Sequence, residues 1–254
     1  MNAAILTDLT RCQGCEACVW ACKEINGLPR EDGAKRLSAT TWTAIERIGD
    51  VPVRRQCMHC LEPACVSVCP VGALQKTSQG PVVYDESRCM GCRYCMLACP
   101  FGMPKYEWSE LVPGVRKCGM CFDRAVSHGE QPACTAACPY GATQFGERDA
   151  LVAEARRRIA ENPGRYVDKV YGERDAGGTS VLYLSSVPFE QLGFPSALNG
   201  DPYPRLTWEI LSKLPNVVGV AAVALFGIHW ITRRREDVAR AEGTRDENRT
   251  GAQS

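Results

Sequence analysis

The chain has 254 residues, 45% of them hydrophobic, a formal net charge of +1 and sixteen cysteines. That length holds one large domain or two small ones, and the near-zero charge gives no case for a nucleic-acid partner. The cysteine count excludes an ordinary globular domain: it belongs to a secreted disulfide scaffold or to a metal protein, and spacing decides between them.

The first eleven residues contain one arginine, no twin-arginine pair and no apolar run of signal length. The expectation is a protein that stays in the cytoplasm or is exported without a signal of its own. Ile5–Thr7 reads as a short strand. Cys12, Cys15, Cys18 and Cys22 follow with the spacing C-x2-C-x2-C-x3-C, and Cys18–Lys23 reads as a short helix. An insert, Glu24 to Gln56, separates this group from the next; its Trp42 is expected in a small core rather than over a metal site. The second group is Cys57, Cys60, Cys65 and Cys69. His59 lies between two of these, but with cysteine at all four corners it is expected beside the site rather than as a ligand. Val82–Tyr84 reads as a second strand, ahead of the third group, Cys89, Cys92, Cys95 and Cys99, which repeats the first spacing and ends in Pro100. The fourth group is Cys118, Cys121, Cys134 and Cys138. Pro70, Pro100 and Pro139 each stop the chain just after a fourth cysteine.

Groups one and three have the bacterial ferredoxin spacing, in which three thiolates wrap one [4Fe–4S] cube and the fourth reaches the neighbouring cluster. Groups two and four lengthen one loop and share the ending P-A-C-x3-C-P-x-G-A, at Pro63 to Ala73 and Pro132 to Ala142. Zinc would leave the third and fourth cysteine of each group unexplained, and a disulfide framework does not have ferredoxin spacing. Covalent haem needs C-x2-C-H, whereas Glu16, Leu61, Arg93 and Phe122 follow the pairs here. The cofactors expected are four [4Fe–4S] clusters. Shifting the chain by 77 residues lays group one on group three, matching Asp8 with Asp85, Arg11 with Arg88 and Gly14 with Gly91; a shift of 69 residues aligns the ends of groups two and four. The expected fold class is α+β: tandem bacterial-ferredoxin-like units of two clusters each, with a single transmembrane helix at the C-terminus. Each oxidised cluster contributes about −2. Arg11, Lys23, Arg88, Arg93, Lys105, Arg116 and Lys117 stand beside the motifs as candidate local counter-charges.

Arg148 to Asn162 reads as an amphipathic helix with Leu151, Val152, Ala155 and Ile159 on one face. Residues 166 to 204 read as an extended segment packed on the body or on a partner, with Val181–Leu184 strand-like. Leu214 to Thr232 carries no Asp, Glu, Lys or Arg; as a helix it spans about 28 Å, close to the hydrocarbon thickness of a bilayer. Trp208 and Trp230 are placed as interface anchors, and Arg233-Arg234-Arg235 marks the cytoplasmic end. His229, within the span, is a candidate contact for a quinone or haem of a membrane partner. The expected domains are 1–147 for the cluster body, 148–205 for helix and docking segment, 206–235 for the anchor and 236–254 for a disordered tail. There is no phosphate loop or dinucleotide fingerprint, and His59, His128 and His229 are too scattered for a triad. The chain reads as a wire, with no catalytic residues of its own.

Two stretches carry a family resemblance: Gly91-Cys92-Arg93-Tyr94-Cys95-Met96-Leu97-Ala98-Cys99-Pro100-Phe101-Gly102, and Val170-Tyr171-Gly172-Glu173 followed by Gly177-Gly178-Thr179. From Ile5 to Arg235 the chain resembles the four-cluster electron-transfer (beta) subunits of membrane-bound oxidoreductases, those of respiratory formate dehydrogenase and membrane-bound [NiFe] hydrogenase above all. The resemblance implies that the first motif shares a unit with the fourth and the second with the third. The implied ligand sets are Cys12/Cys15/Cys18/Cys138, Cys118/Cys121/Cys134/Cys22, Cys57/Cys60/Cys65/Cys99 and Cys89/Cys92/Cys95/Cys69. It further implies a catalytic partner, a [NiFe] hydrogenase or a molybdenum or tungsten formate dehydrogenase, and an integral membrane quinone-reactive or cytochrome b subunit in the lipid bilayer. Export in complex with a partner that carries a twin-arginine signal would place the cluster body on the extracytoplasmic side. The competing expectation is a structural iron–sulfur anchor without obligatory electron flow.

Overall fold

The computed structural model describes residues 2–30, 35–108 and 114–250. It divides into two units, Met1–Arg205 and Leu206–Ser254. In the first, β1 (Ala3–Asp8) is buried along its whole length. Ala3 and Ile5 face the core around the cysteine loops, and Ala4 and Leu6 face the opposite core, the alternation of a strand covered on both sides. The first cysteine loop leads into α1 (Ala17–Ile25). The insert that follows carries a structured hairpin, β2 (Thr43–Ile48) and β3 (Val51–Gln56), which the sequence reading did not resolve. Trp42 is half-buried, donates from Nε1 to the Ala39 carbonyl at 2.8 Å and lines a cavity of about 230 Å³ beside Cys121, so it lies next to a cysteine site and outside the main core.

Next come α2 (Ala64–Ser67), the antiparallel pair β4 (Leu74–Lys76) and β5 (Val82–Tyr84), α3 (Tyr94–Ala98), and a short pair, β6 (Lys105–Tyr106) and β7 (Val115–Arg116). After α4 (Ala133–Ala136), β8 (Thr143–Glu147) pairs antiparallel with β1. α5 (Arg148–Glu161) starts where the Glu147 carboxylate accepts the Asp149 and Ala150 amides at 2.8 and 3.0 Å. Leu151 and Ala155, with Val152 and Ile159 beside them, cover Ala4, Leu6, Leu182 and Leu184, the face the periodicity predicts. β9 (Val181–Leu184) completes the sheet, parallel to β1, in the order β8-β1-β9. The segment before it is tied down: Leu61 N–H donates to Gly178 O, Ser180 N–H to His59 O and Val181 N–H to Met58 O, at 3.0, 3.0 and 3.2 Å. Residues 178–184 thus join the second cysteine loop to β1.

Helix α1 packs on α4 and α2 on α3. The outer two motifs in sequence are therefore brought together, as are the inner two.

The 77-residue repeat is also visible in side chains. Asp8 Oδ1 accepts the Thr10 amide and hydroxyl at 3.0 and 2.6 Å; Asp85 Oδ1 accepts the Ser87 amide and hydroxyl at the same distances. The copies differ in burial. Asp8 is 1% exposed, and its Oδ2 also accepts from Tyr166 Oη at 2.9 Å and Arg158 Nη1 at 3.3 Å, whereas Asp85 is open to solvent and forms an ion pair with Arg88. Asp8→Ala is expected to cost about 3 kcal/mol because it strands buried partners, and Asp85→Ala much less; thermal unfolding of the two variants side by side checks this.

In the second unit, α6 (Tyr203–Leu211) runs across the unit boundary and α7 (Leu214–Thr250) follows a two-residue turn, with Pro215 in the first turn, where a helix tolerates it. Tyr203–Arg240 holds one helix long and apolar enough to cross a membrane, with none of its apolar window buried. Trp208, Trp230 and His229 are exposed on it. Helix α7 runs past Glu236 as far as Thr250, with strong helix formers and a Glu236–Arg240 pair one turn apart at 4.0 Å. Residues 251–254 of the expected tail lie outside the described residues.

Candidate functional site

The cysteine loops are shaped by residues in the left-handed region, in matching places. Gly14 and Gly91 (φ 70 and 71) sit between the first two cysteines of their motifs, and Glu16 and Arg93 (φ 61 and 65) follow the second and cap the next helix. Non-glycine residues there are uncommon, and two at equivalent positions mean that the loop imposes the conformation. His59 and Met120 (φ 48 and 56) do the same just before Cys60 and Cys121. The Pro-x-Gly turn after the fourth cysteine, with φ 62 at Gly72 and 56 at Gly141, folds backbone N–H groups over the sulfur. Burial pushes the Cys69 thiol up, but the amides of Leu74, Ala73, Val71 and Gly72 outweigh it and hold it below its ordinary value. At Cys138 the amides of Thr143, Ala142 and Tyr140 outweigh burial in the same way. Such donors favour the thiolate, the form that binds iron.

Among the described residues all sixteen cysteines are free thiols, and they gather in fours. An apolar cavity is lined by Cys12, Cys15, Cys18 and Cys138, and Cys12 feels the charges of Cys138 and Cys15. Cys22 feels Cys134 and Cys121, and Cys118 feels Cys22 and Cys134. Cys60 feels Cys57, Cys99 and Cys65. Cys95 feels Cys89, Cys92 and Cys69. Charge on one group is also felt in the next, Cys134 at Cys18, Cys57 at Cys118 and Cys95 at Cys65. Cys15 and Cys92 are exposed, and the other fourteen are buried or half-buried. Met90, Tyr94 and Leu97 are exposed around Cys92.

Burial pushes Cys18 up to about 11 and Cys22 and Cys65 up to about 12. Such thiols keep their protons until a metal replaces them. Amide N–H groups already point at sulfur, Met103 at Cys99 Sγ (3.4 Å) and Met120 at Cys118 Sγ (3.3 Å), and Tyr106 Oη lies 3.3 Å from Cys95 Sγ. Among the described residues no three His, Cys, Asp or Glu side chains close on a single-ion site. An all-thiol donor set, spread in fours and backed by N–H donors, fits iron–sulfur clusters.

The basic residues flagged in the sequence divide. Lys23 is buried and donates to Pro29 O and Thr40 O at 2.8 and 3.1 Å; Lys117 is buried and donates to Val82 O and to Cys118 O, the latter at 3.1 Å. Arg93 lies 4.4 Å over the Trp108 ring, and Arg88 and Arg116 pair with Asp85 and Glu86 at 3.2 and 3.0 Å. His59 is buried; its Nδ1 accepts the Val82 amide at 2.9 Å, and its Nε2 has no partner among the described residues. Burial, with Lys117 and Lys76 nearby, holds His59 well below the usual histidine value, so it is neutral with its proton on Nε2. Two basic residues beside the thiols, half-buried Lys76 and buried Arg54, were not legible in the sequence. Lys76 Nζ donates to Cys60 O at 2.7 Å, and Arg54 lines the first thiol cavity. The missed signal for Arg54 was strand alternation, which turns it to the opposite face from Arg55.

Comparison with known proteins agrees with this chemistry. Residues 51–148, which hold the second, third and fourth motifs, match the 4Fe-4S dicluster domain family. The chain is thus an iron–sulfur, [4Fe–4S]-type electron-transfer protein. It is 43% identical over 255 residues to a protein of Nitratidesulfovibrio vulgaris, covering 94% of this chain and 69% of that one. It is 38% identical over 239 residues to the hydrogenase-2 operon protein HybA of Escherichia coli O157:H7 (76% and 73% covered). It is 32% identical over 260 residues to the formate dehydrogenase iron-sulfur subunit of Haemophilus influenzae (91% and 81% covered). The chain belongs to this family of iron–sulfur proteins, as its two signature stretches indicate.

Proposed function

We propose that this chain relays electrons through four [4Fe–4S] clusters, between a catalytic subunit of hydrogenase or formate dehydrogenase type and a quinone-reactive subunit in the membrane. The observation that carries the reading is sixteen free cysteines on loops whose helices pack in pairs, α1 on α4 and α2 on α3. The ligand sets are Cys12/Cys15/Cys18/Cys138, Cys118/Cys121/Cys134/Cys22, Cys57/Cys60/Cys65/Cys99 and Cys89/Cys92/Cys95/Cys69. The clusters supply one-electron transfer at each site. The chain's own part is to hold them in series, to exclude water and to aim N–H donors at the sulfurs.

The electrostatic coupling between neighbouring sets supports a linear order, from the Cys12 set through the Cys118 and Cys57 sets to the Cys89 set. The two end sets are the ones with an exposed cysteine, Cys15 and Cys92, as a wire with two terminals requires. The names of the relatives support a hydrogenase or formate dehydrogenase as the catalytic partner. The apolar helix supports a single-pass anchor in the cytoplasmic membrane, and Arg233-Arg234-Arg235 supports a cytoplasmic C-terminus with the cluster body outside.

The test is the complex purified in mild detergent, its subunits identified by mass spectrometry, its iron and sulfide counted, and its clusters titrated by electron paramagnetic resonance. The expected result is about sixteen irons per chain and four clusters reduced by hydrogen or formate. Clusters that never change oxidation state under the donor would leave only a structural anchor. Proteolysis of spheroplasts is expected to degrade the cluster body; its protection would overturn the topology.

A further inference from the structure

Arg54 is 1% exposed, in the middle of β3. Its guanidinium donates from Nη1 to Thr7 Oγ1 at 3.3 Å and from Nη2 to Gln56 Oε1 at 2.5 Å, and its Nε has no partner among the described residues. Among the described residues no carboxylate pairs with it, whereas its neighbour Arg55 meets Glu46 at 3.2 Å. Arginine does not shed its proton in proteins, so this is a permanent charge, buried without an anion of its own, an arrangement the fold tolerates only if something supplies the anion.

What surrounds Arg54 is sulfur. It lines the cavity formed by Cys12, Cys15, Cys18 and Cys138. The groups that favour its charge are Cys134, Cys18, Tyr183 and Cys118, and its charge is felt in turn at Cys12, Cys22 and Cys121. These thiols come from the two sets that α1 and α4 bring together; the guanidinium stands in the wall of the first, and its charge reaches the second. At the Cys57 set the basic neighbours are instead Lys76 at Cys60 and Lys117 at Cys65.

We propose that Arg54 is the buried counter-cation shared by the clusters of the Cys12 and Cys118 sets, and that it raises the reduction potential of both. The inference rests on the ligand sets proposed above. With four thiolates each, those clusters carry about −2 when oxidised and gain one further negative charge on reduction. A fixed positive charge beside them stabilises the reduced form more than the oxidised form.

The experiment is a redox titration by electron paramagnetic resonance of the purified complex carrying Arg54→Gln or Arg54→Lys, with iron and sulfide counted in each. Signals are assigned by their loss in Cys15→Ala and Cys121→Ala. Arg54→Gln is expected to lower the potentials of those two clusters by at least tenfold in reduction constant, about 59 mV for a one-electron couple, and to leave the other two in place. Arg54→Lys, which keeps the charge, is expected to stay close to the parent. Loss of the two clusters in Arg54→Gln with retention in Arg54→Lys also supports the charge. Loss in both variants would give Arg54 a packing role through Thr7 and Gln56 and overturn the proposal. A parent complex with all four clusters and unshifted potentials in Arg54→Gln overturns this proposal alone; a parent complex lacking the two clusters overturns the relay and this proposal together.

Discussion

Replacing Cys99 with alanine is expected to remove the cluster of Cys57, Cys60 and Cys65 and to spare that of Cys89, Cys92 and Cys95, its own neighbours in sequence. In the fold, Cys99 stands at the end of α3, which packs on α2, so its thiol is delivered to the second motif. Cys60 and Cys65 both feel its charge. The Met103 amide, 3.4 Å from Cys99 Sγ, holds it there. The complex should lose about four irons per chain, and the signal that disappears should be the one missing in Cys60→Ala. If Cys99→Ala instead matches Cys92→Ala, the exchange of ligands between motifs is wrong. Cys69→Ala is the reciprocal case and should match Cys92→Ala.

The second large effect is expected at a backbone turn rather than at a thiol. Gly172 has φ 92, a conformation alanine rarely adopts, and a Cβ there would lie 2.5 Å from the Val181 carbonyl oxygen and against the Thr179 hydroxyl. Neither neighbour can retreat. Thr179 Oγ1 donates to Val181 O at 2.7 Å, the Thr179 amide donates to Gly172 O at 2.7 Å, and Gly172 N–H donates to Asp175 Oδ2 at 2.8 Å. This knot holds residues 178–181 against the second cysteine loop. Gly172→Ala should cost on the order of 3–5 kcal/mol. It should appear as a lower unfolding midpoint of the complex and faster iron loss on mild heating. An unchanged midpoint would mean that the knot does not bear on stability.

Much of the site was legible in the sequence because the cofactor dictates it. A cube with four corners forces cysteine spacing, and the left-handed turns at Gly14, Gly91, Gly72 and Gly141 leave glycine as their trace. The amphipathic face of α5 and the apolar run of α7 were legible for the same kind of reason, a period or a length set by geometry. What was not legible depends on tertiary burial. Arg54 and Arg55 are identical letters, and only the sheet turns one toward sulfur and the other toward Glu46 and the Leu192 carbonyl. Asp8 and Asp85 make the same local turn, and only α5 and Tyr166 make the first a buried anchor. The hairpin β2–β3 was missed because its hydrophobic pattern is broken by Thr43, Glu46 and paired arginines that find partners across the fold.

The nesting of the motifs has a consequence for how the protein is made. The inner pair, α2 with α3 and β4 with β5, is complete once the chain has reached Cys99. The outer pair is not: β1 and α1 are synthesised first, yet their partners α4, β8 and β9 end only at Leu184. Closing so long a loop is entropically costly and slow compared with closing the short inner one. On the ribosome the first four cysteines therefore emerge early and wait for partners that are made last. With the proposed ligand sets, cluster insertion is expected to run from the inside outward, leaving the oldest thiols in the chain the last to be protected.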